Sequence, residues 1–246
     1  MTVFADYARY YNLLYQDKDY QSEAEYIAGL IKKNAPKANT ILELGCGTGR
    51  HAKILSQYGF ELEGVDLSHS MIEEALKNGV NCQVADIKNF RANKTFDVVL
   101  SLFHVANYQI KNSDLYDYFK TAYEHLPKGG IFVFDTWWGP AVLAQRPEKR
   151  FKRMENAELI LERTAVPLHH VNENIVDVIY DVKIIDKNDN KEHFIKETHS
   201  MRYLFKPEIE FFMSLAGFEI IGFEEWLSAK APGEDTWSVC IIGVKI

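Results

Sequence analysis

The stretch Thr40-Ile41-Leu42-Glu43-Leu44-Gly45-Cys46-Gly47-Thr48-Gly49 decides the fold. Residues 40–44 form a short apolar run, which reads as a buried strand. Gly45, Gly47 and Gly49 follow it, and residues 50–58 read as a helix. Without Cβ atoms, such a turn can bend tightly and bring its backbone close to a ligand. The helix N-terminus just beyond adds N–H donors and partial positive charge.

Outward from this turn, strands and helices alternate. Strands are expected at 61–66, 82–85, 96–102 and 131–134, with helices at 70–78 and 113–126 between them. Ser68 is a candidate N-cap and Asn78-Gly79 a stop for the first of these helices. Strands of near-continuous apolar character separated by helices imply a parallel sheet covered on both faces. Before the turn, 7–15 and 20–33 read as helices, the second ended by Asn34-Ala35-Pro36.

The rhythm changes after Trp138. Val176, Val178, Tyr180, Val182 and Ile184 share one face of an alternating segment, and residues 193–205 alternate again beyond a turn at 187–190. This is a hairpin pattern. A helix is expected from Pro207 through Leu215, then strands at 218–226 and 238–245. The expected division is a core of 1–144 and 206–246 with an N-terminal helical lid. Residues 145–205 are a β-rich insertion that covers substrate or makes a dimer contact.

Composition narrows the function. The 246 residues carry 47% hydrophobic and 26% charged side chains, suited to one globular unit. The net charge of −7 argues against a nucleic-acid backbone as main partner. The densest basic run, residues 149–153, reads as a solvated loop. Cys46, Cys82 and Cys240 are odd in number and far apart, so neither a disulfide framework nor a zinc site is expected, and a cytoplasmic location is. With charges at Asp6 and Arg9, no signal peptide is expected, and no run reaches the roughly 20 apolar residues of a membrane helix.

Two acids sharpen the glycine turn. Asp66 ends the second strand, where a carboxylate can accept both hydroxyls of a ribose diol. Asp86 follows the third strand, within reach of an adenine amino group. A nicotinamide-dinucleotide site is the rival, but its G-x-G-x-x-G spacing is not met and an acid precedes the first glycine.

With Glu43-x-Gly45-x-Gly47-x-Gly49, Asp66, Ala85-Asp86, Phe96-Asp97-Val98-Val99 and Leu126-Pro127-Lys128-Gly129-Gly130 in this order, the chain resembles class I S-adenosylmethionine-dependent methyltransferases over about 40–135. The resemblance implies a Rossmann-like α/β fold, with a seven-stranded, mostly parallel sheet whose last strand is antiparallel. It implies S-adenosylmethionine as cofactor and S-adenosylhomocysteine as product. The expected cofactor contacts are Tyr15, Glu43, Gly45, Cys46, Gly47, Gly49, Asp66, Leu67, Met71, Ala85, Asp86, Ile87, Leu102 and Phe103. Residues 11–15 and 18–20, Ser101-Leu102-Phe103-His104-Val105 and Asp135-Thr136-Trp137-Trp138-Gly139-Pro140 are similar to methyltransferases of nucleotide-linked sugars, including amino-deoxysugar N-methyltransferases. Those carry a β-rich insertion after the fifth strand.

Ligands of open α/β sheets lie beyond the carboxyl ends of the strands, which sorts the histidines. His104 follows the fourth strand and is the candidate base or substrate contact; Tyr15 is a second catalytic candidate. His125, at the opposite edge, reads as structural, and His51 as surface or cap. His169, His170, His193 and His199 lie in the insertion with no readable direction. Asp135, Trp137 and Trp138 are substrate candidates, although only one tryptophan of an extended pair should face a pocket. The expected reaction is methyl transfer to an amine or hydroxyl of a small polar metabolite, first of all a nucleotide-linked amino sugar. Another small amine, hydroxyl or acid, and a non-catalytic S-adenosylmethionine-binding subunit, are the alternatives. The partners expected are a small-molecule substrate, with no nucleic acid and no membrane. A homodimer stays open.

Overall fold

The computed structural model describes residues 8–246, with side chains from Tyr10 onward. The expected helix start at residue 7 and the charge at Asp6 lie outside the described residues. In chain order the elements begin with α1 (Ala8–Leu14), α2 (Tyr20–Asn34), β1 (Thr40–Leu44), α3 (Arg50–Gln57), β2 (Glu61–Asp66), α4 (His69–Lys77) and β3 (Cys82–Val84). There follow β4 (Val98–Ser101), a 3-10 turn (Val105–Tyr108), α5 (Asn112–Glu124), β5 (Ile131–Trp137) and α6 (Gly139–Gln145). Next come β6 (Arg150–Glu155), β7 (Leu159–His170), a second 3-10 turn (Val171–Glu173), β8 (Ile175–Asp186) and β9 (Glu192–Arg202). The chain closes with α7 (Lys206–Ala216), β10 (Phe218–Glu225) and β11 (Ser238–Lys245).

One sheet has the order β10-β11-β5-β4-β1-β2-β3. The pairs β1–β2, β1–β4, β4–β5 and β2–β3 are parallel, whereas β11 is antiparallel to both neighbours. Both faces are covered, which is why its central strands read as unbroken apolar runs. On one face α5 and α7 pack through Tyr118, Phe119, Phe212 and Met213 onto Phe132 and Phe134 of β5. On the other, Ile27 and Ile31 of α2 and Leu55 of α3 meet Ile41, Val98 and Val133. Ser68 caps α4 as expected, its hydroxyl accepting from Met71 N–H at 3.4 Å.

The second sheet is antiparallel in the order β6-β7-β8-β9. Residues 149–153, expected as a solvated loop, instead run into its edge strand β6. Arg150, Phe151 and Arg153 are exposed there, because one flank of an edge strand has no neighbour and charged side chains suit it. Helix α1 packs on this sheet: Tyr10, Leu13 and Leu14 are buried with Met154, Leu161, Val182 and Ile184. Lys152 Nζ donates to the Leu14 carbonyl, 2.8 Å away, and ties off the helix end. The N-terminal segment thus bridges the two sheets over the carboxyl ends of β1 to β5.

Candidate active site

The carboxyl ends of β1, β2, β4 and β5 and the loop after β3 open into a cavity of about 540 Å³, roofed by α1 and the second sheet. Gly45, with φ +79°, lets the chain leave β1 at once, and Val105 packs where its Cβ would stand. Gly47 also has a positive φ, but an added Cβ would meet nothing, since its face is the cavity itself. That leaves a cradle of main chain for a ligand.

Asp66 closes the turn from β2. Its Oδ2 accepts from Gly47 N–H at 3.0 Å and its Oδ1 from Ser68 N–H at 2.8 Å. These bonds fix the carboxylate while leaving lone pairs on both oxygens. Burial raises its pKa above the ordinary value, against the lowering pull of the N–H groups of Ser68, Gly47 and Leu67. Asp86 reaches the wall from the loop after β3, with Oδ1 accepting from Lys88 N–H at 3.0 Å.

Glu43 alternates with Leu42 and Leu44, so it points to the opposite side of β1. It is 1% exposed, and its Oε2 has no hydrogen-bond partner. Burial, then the nearby Asp66, push its pKa up to about 8. His51 stands between two acids: Nε2 is 2.7 Å from Glu23 Oε2 and Nδ1 is 3.9 Å from Glu43 Oε1. Burial by itself would raise Glu23, but His51 and Lys18 beside it hold its carboxyl below the usual range. His51, expected at the surface or as a cap, is therefore a buried cavity residue, because α2 closes over the start of α3.

Beyond β4 the backbone takes two consecutive left-handed residues, Phe103 (φ 66°) and His104 (φ 64°). Neither is glycine, so each costs on the order of 1–3 kcal/mol. The compensation is visible at Asp135. His104 N–H donates to both Asp135 carboxylate oxygens, at 3.1 and 3.2 Å, and its ring Nδ1 lies 2.7 Å from Oδ2. The ring N–H is not aligned on that oxygen, so this second contact is a close approach rather than a formed hydrogen bond. Asn107, fully buried, then locks the 3-10 turn: its Oδ1 accepts from Thr136 Oγ1–H and Trp137 N–H, and its side-chain amide donates to the Arg202 carbonyl.

The cavity wall gathers Tyr15, Glu43, Gly45, Cys46, Gly47, Asp66, Leu67, Met71, Asp86, Ile87, Leu102, Phe103, His104 and Trp137. Four of the residues expected at the site are placed elsewhere. Gly49 is the N-cap of α3 and faces Val80 and Ala75. Ala85 contributes a backbone bond to the Asp66 carbonyl from behind the wall. Asp135 is 2% exposed behind His104, so it reaches the cavity through the imidazole. Trp138 packs on Phe223 in the core, as strand alternation requires once Trp137 faces inward. His125 is structural, as expected: Nε2 accepts from Ala92 N–H at 2.8 Å and Nδ1 donates to the Thr121 carbonyl.

Sequence reading missed Arg50, Tyr108, Gln109, Tyr180 and His199 on the wall. Tyr108 follows His104 by four residues on the same strand end, a signal within reach. Tyr180 shares its face with Val178, but no local pattern tells which face of the insertion turns inward. Among the described residues no group of three His, Cys, Asp or Glu side chains is placed to hold a metal, and no helix is long and apolar enough to cross a membrane.

Residues 41–130 match the model of a methyltransferase domain. The dTDP-3-amino-3,4,6-trideoxy-alpha-D-glucopyranose N,N-dimethyltransferase of Streptomyces venezuelae is 32% identical over 143 residues, 56% of this chain and 60% of that protein. The matched stretch spans only a little over half the length of the first curated relatives. In fold, Streptomyces venezuelae DesVI superposes with a TM-score of 0.83 at 23% identity over the whole of both chains. The sugar N-methyltransferase KedS8 from Streptoalloteichus does so at 0.82 and 20% identity, covering 100% of this chain and 96% of its own. Residues 41–130 thus resemble a methyltransferase domain, the whole chain shares the fold of these solved structures, and a little over half of it is similar to amino-sugar N-methyltransferases.

Proposed function

We propose that the protein transfers a methyl group from S-adenosylmethionine to the amine of a small polar acceptor, with a nucleotide-linked amino sugar as the first choice. The observation that carries this is the juxtaposition, in one cavity, of the Gly45–Gly49 cradle and Asp66 with the His104–Asp135 pair. The residues present fit the cofactor. Gly47 leaves the space a close-lying ligand needs, Asp66 offers two fixed acceptors to a ribose diol, and the partnerless Glu43 Oε2 suits a cationic amino-acid end. Arg50, on the same wall and with Nη1 donating to the Tyr15 carbonyl at 3.1 Å, suits the carboxylate of that end.

When bound, S-adenosylmethionine supplies an electrophilic methyl carbon on a sulfonium. The chain supplies position, a dry wall and a proton acceptor. Tyr15 and Tyr11 each pack edge to face on Phe103, at 5.1 and 6.5 Å, and these rings would keep water from the reacting atoms. An acceptor amine must be unprotonated to attack and sheds a proton afterwards. His104 takes that proton on Nε2, because Nδ1 faces Asp135, and the carboxylate stabilises the imidazolium that results. Val178 and Tyr180 of β8 and His199 and Met201 of β9 line the cavity, which supports residues 145–205 as the cover of the acceptor.

A second reading, a small amine or hydroxyl without a diphosphate, is favoured by one feature. Arg50 and Lys88 are the cations on the described wall, and both stand on the cofactor side. Calorimetry with S-adenosylhomocysteine tests the cofactor: no binding ends the proposal. Methyl transfer to dTDP-3-amino-3,4,6-trideoxyglucose against a simple amine separates the two acceptors, and any transfer by the isolated chain excludes a non-catalytic subunit. A cytoplasmic location and a homodimer complete the proposal; light-scattering mass measures the latter.

A further inference from the structure

Two cysteines that are far apart in the chain meet behind the glycine turn. Cys46 lies between Gly45 and Gly47 and lines the cavity. Cys82 opens β3, the edge strand of the large sheet, where it is half-buried between the exposed Asn81 and Gln83. Both are free thiols. What brings them together is Gly64 of β2, the partner of Cys82 in the parallel ladder. A Cβ on Gly64 would stand 2.7 Å from Cys46 Sγ and 3.5 Å from Cys82 Cβ. The side chain that Gly64 lacks is therefore the space the two cysteines share. Cys240 is fully buried in β11 at the other side of the sheet and takes no part.

The pair is chemically asymmetric. A hydrogen bond from Cys46 holds the Cys82 thiol below its ordinary pKa, against partial burial and the charge of Asp66. The same bond, with burial, Glu43 and Asp66, pushes the Cys46 thiol up. The thiolate is the nucleophile in cysteine chemistry, so Cys82, partly open to solvent on the edge strand, meets an oxidant first. Cys46 is its resolving partner. The turn that carries Cys46 has little slack. Cys46 N–H donates to the Val65 carbonyl at 3.0 Å, and the next N–H, of Gly47, donates to Asp66 Oδ2 at 3.0 Å. A sulfur–sulfur bond is about 2 Å long, well inside the contact distance of two thiols. Closing it draws Cys46 toward β3 and shifts the Gly47 N–H that holds Asp66.

We infer that Cys46 and Cys82 form a peroxide-sensitive modification site whose disulfide weakens cofactor binding at the glycine turn. The inference rests on the proposed cofactor and adds its control. First, the Cys82 sulfur attacks one oxygen of hydrogen peroxide. An S–O bond forms, the O–O bond breaks, and the other oxygen leaves as water with the thiol proton. Cys82 is then a sulfenic acid. Next, the Cys46 sulfur attacks the Cys82 sulfur. The S–S bond forms, the S–O bond breaks, and the hydroxyl leaves as a second water with the Cys46 proton. Two thiols are oxidised and one peroxide is reduced. A dithiol reductant reverses the change by thiol–disulfide exchange.

The test treats the reduced protein with hydrogen peroxide and follows it by thiol titration, peptide mass mapping and calorimetry. Two of the three thiols should disappear, a linked Cys46–Cys82 peptide should form, and dithiothreitol should return both thiols. The Kd for S-adenosylhomocysteine should rise about tenfold or more on oxidation, the effect of loosening one hydrogen bond to a charged group, and recover on reduction. By linkage, saturating S-adenosylhomocysteine should favour the dithiol by the same factor in a glutathione buffer. Cys82→Ser should bind S-adenosylhomocysteine as the reduced wild type does and keep that Kd after peroxide. Absence of the Cys46–Cys82 peptide, or a linked protein with unchanged Kd, overturns the inference. So does a Cys82→Ser variant whose Kd still rises with peroxide. Where the reduced wild type binds S-adenosylhomocysteine, these results remove the control alone. Where it does not, the cofactor reading itself fails and the control falls with it.

Discussion

His104 is held by Asp135 twice, through its backbone N–H at 3.1 and 3.2 Å and through ring Nδ1 at 2.7 Å, from adjacent strand ends of β4 and β5. One buried carboxylate thus stabilises the left-handed backbone of His104 and faces its imidazole. Replacing His104 with Ala should lower kcat by about 10²–10⁴, the range of a lost general base. S-adenosylhomocysteine affinity should change little. Asp135→Asn should lower kcat as well, because the imidazolium formed in the reaction loses its countercharge. An unchanged kcat in Asp135→Asn would show that His104 does not hold the proton.

Asp66 is tethered by Gly47 N–H and Ser68 N–H, so its carboxylate enters the site without rearrangement. Hydrogen bonds to a charged group contribute about 1.5–3 kcal/mol each. Asp66→Ala should therefore raise the Kd for S-adenosylhomocysteine by at least about tenfold to a hundredfold. Isothermal calorimetry gives this directly, and an unchanged Kd would remove the ribose assignment.

Glu43 has its pKa pushed up to about 8 by burial and by Asp66, so the ligand-free protein holds its proton near pH 7. A ligand ammonium placed beside it favours the carboxylate, and binding should then release protons. Calorimetric enthalpies in phosphate and Tris at pH 7 should differ for the wild type and agree for Glu43→Gln. The same raised pKa has a sign for stability. Between the ordinary 4.5 and about 8 the folded protein binds more protons at this site than the unfolded chain, so stability from Glu43 falls as pH rises through that window. Glu43→Gln should flatten that fall in melts from pH 5 to 8. His125 acts oppositely: burial lowers its pKa below 6.5, so its contribution is lost as pH drops below about 6.5.

Gly45 and Gly47 should separate stability from binding. At Gly45 an alanine Cβ would lie 2.6 and 2.7 Å from the Val105 methyls, at φ +79°. The strain and the overpacking should each cost about 1–3 kcal/mol, at about 2–4 °C of Tm per kcal/mol for a chain of this size. At Gly47 the Cβ meets only the cavity, so Gly47→Ala should weaken S-adenosylhomocysteine more than it lowers Tm. Equal melting shifts for the two variants would contradict the cradle.

Several parts of this molecule could be read from chain neighbours alone. The strand 40–44, its glycine turn and the helix after it are set by steric freedom and apolar spacing within a dozen residues. Asp66 and Asp86 are legible because each follows its own apolar strand, and a parallel sheet brings all such ends to one edge. His104 and Trp137 follow from the same rule. What the sequence left open depends on residues distant along the chain. His51 looks like a surface residue until α2 buries it with Glu23. Tyr108 meets His199 across 91 positions, and which face of β8 and β9 turns inward was decided by packing against α1 and the strand ends. Local sequence thus determined the glycine-turn half of the cavity, where the wall is largely backbone. Only the tertiary structure decided the half beneath the insertion, because the wall there is made where two separate sheets meet.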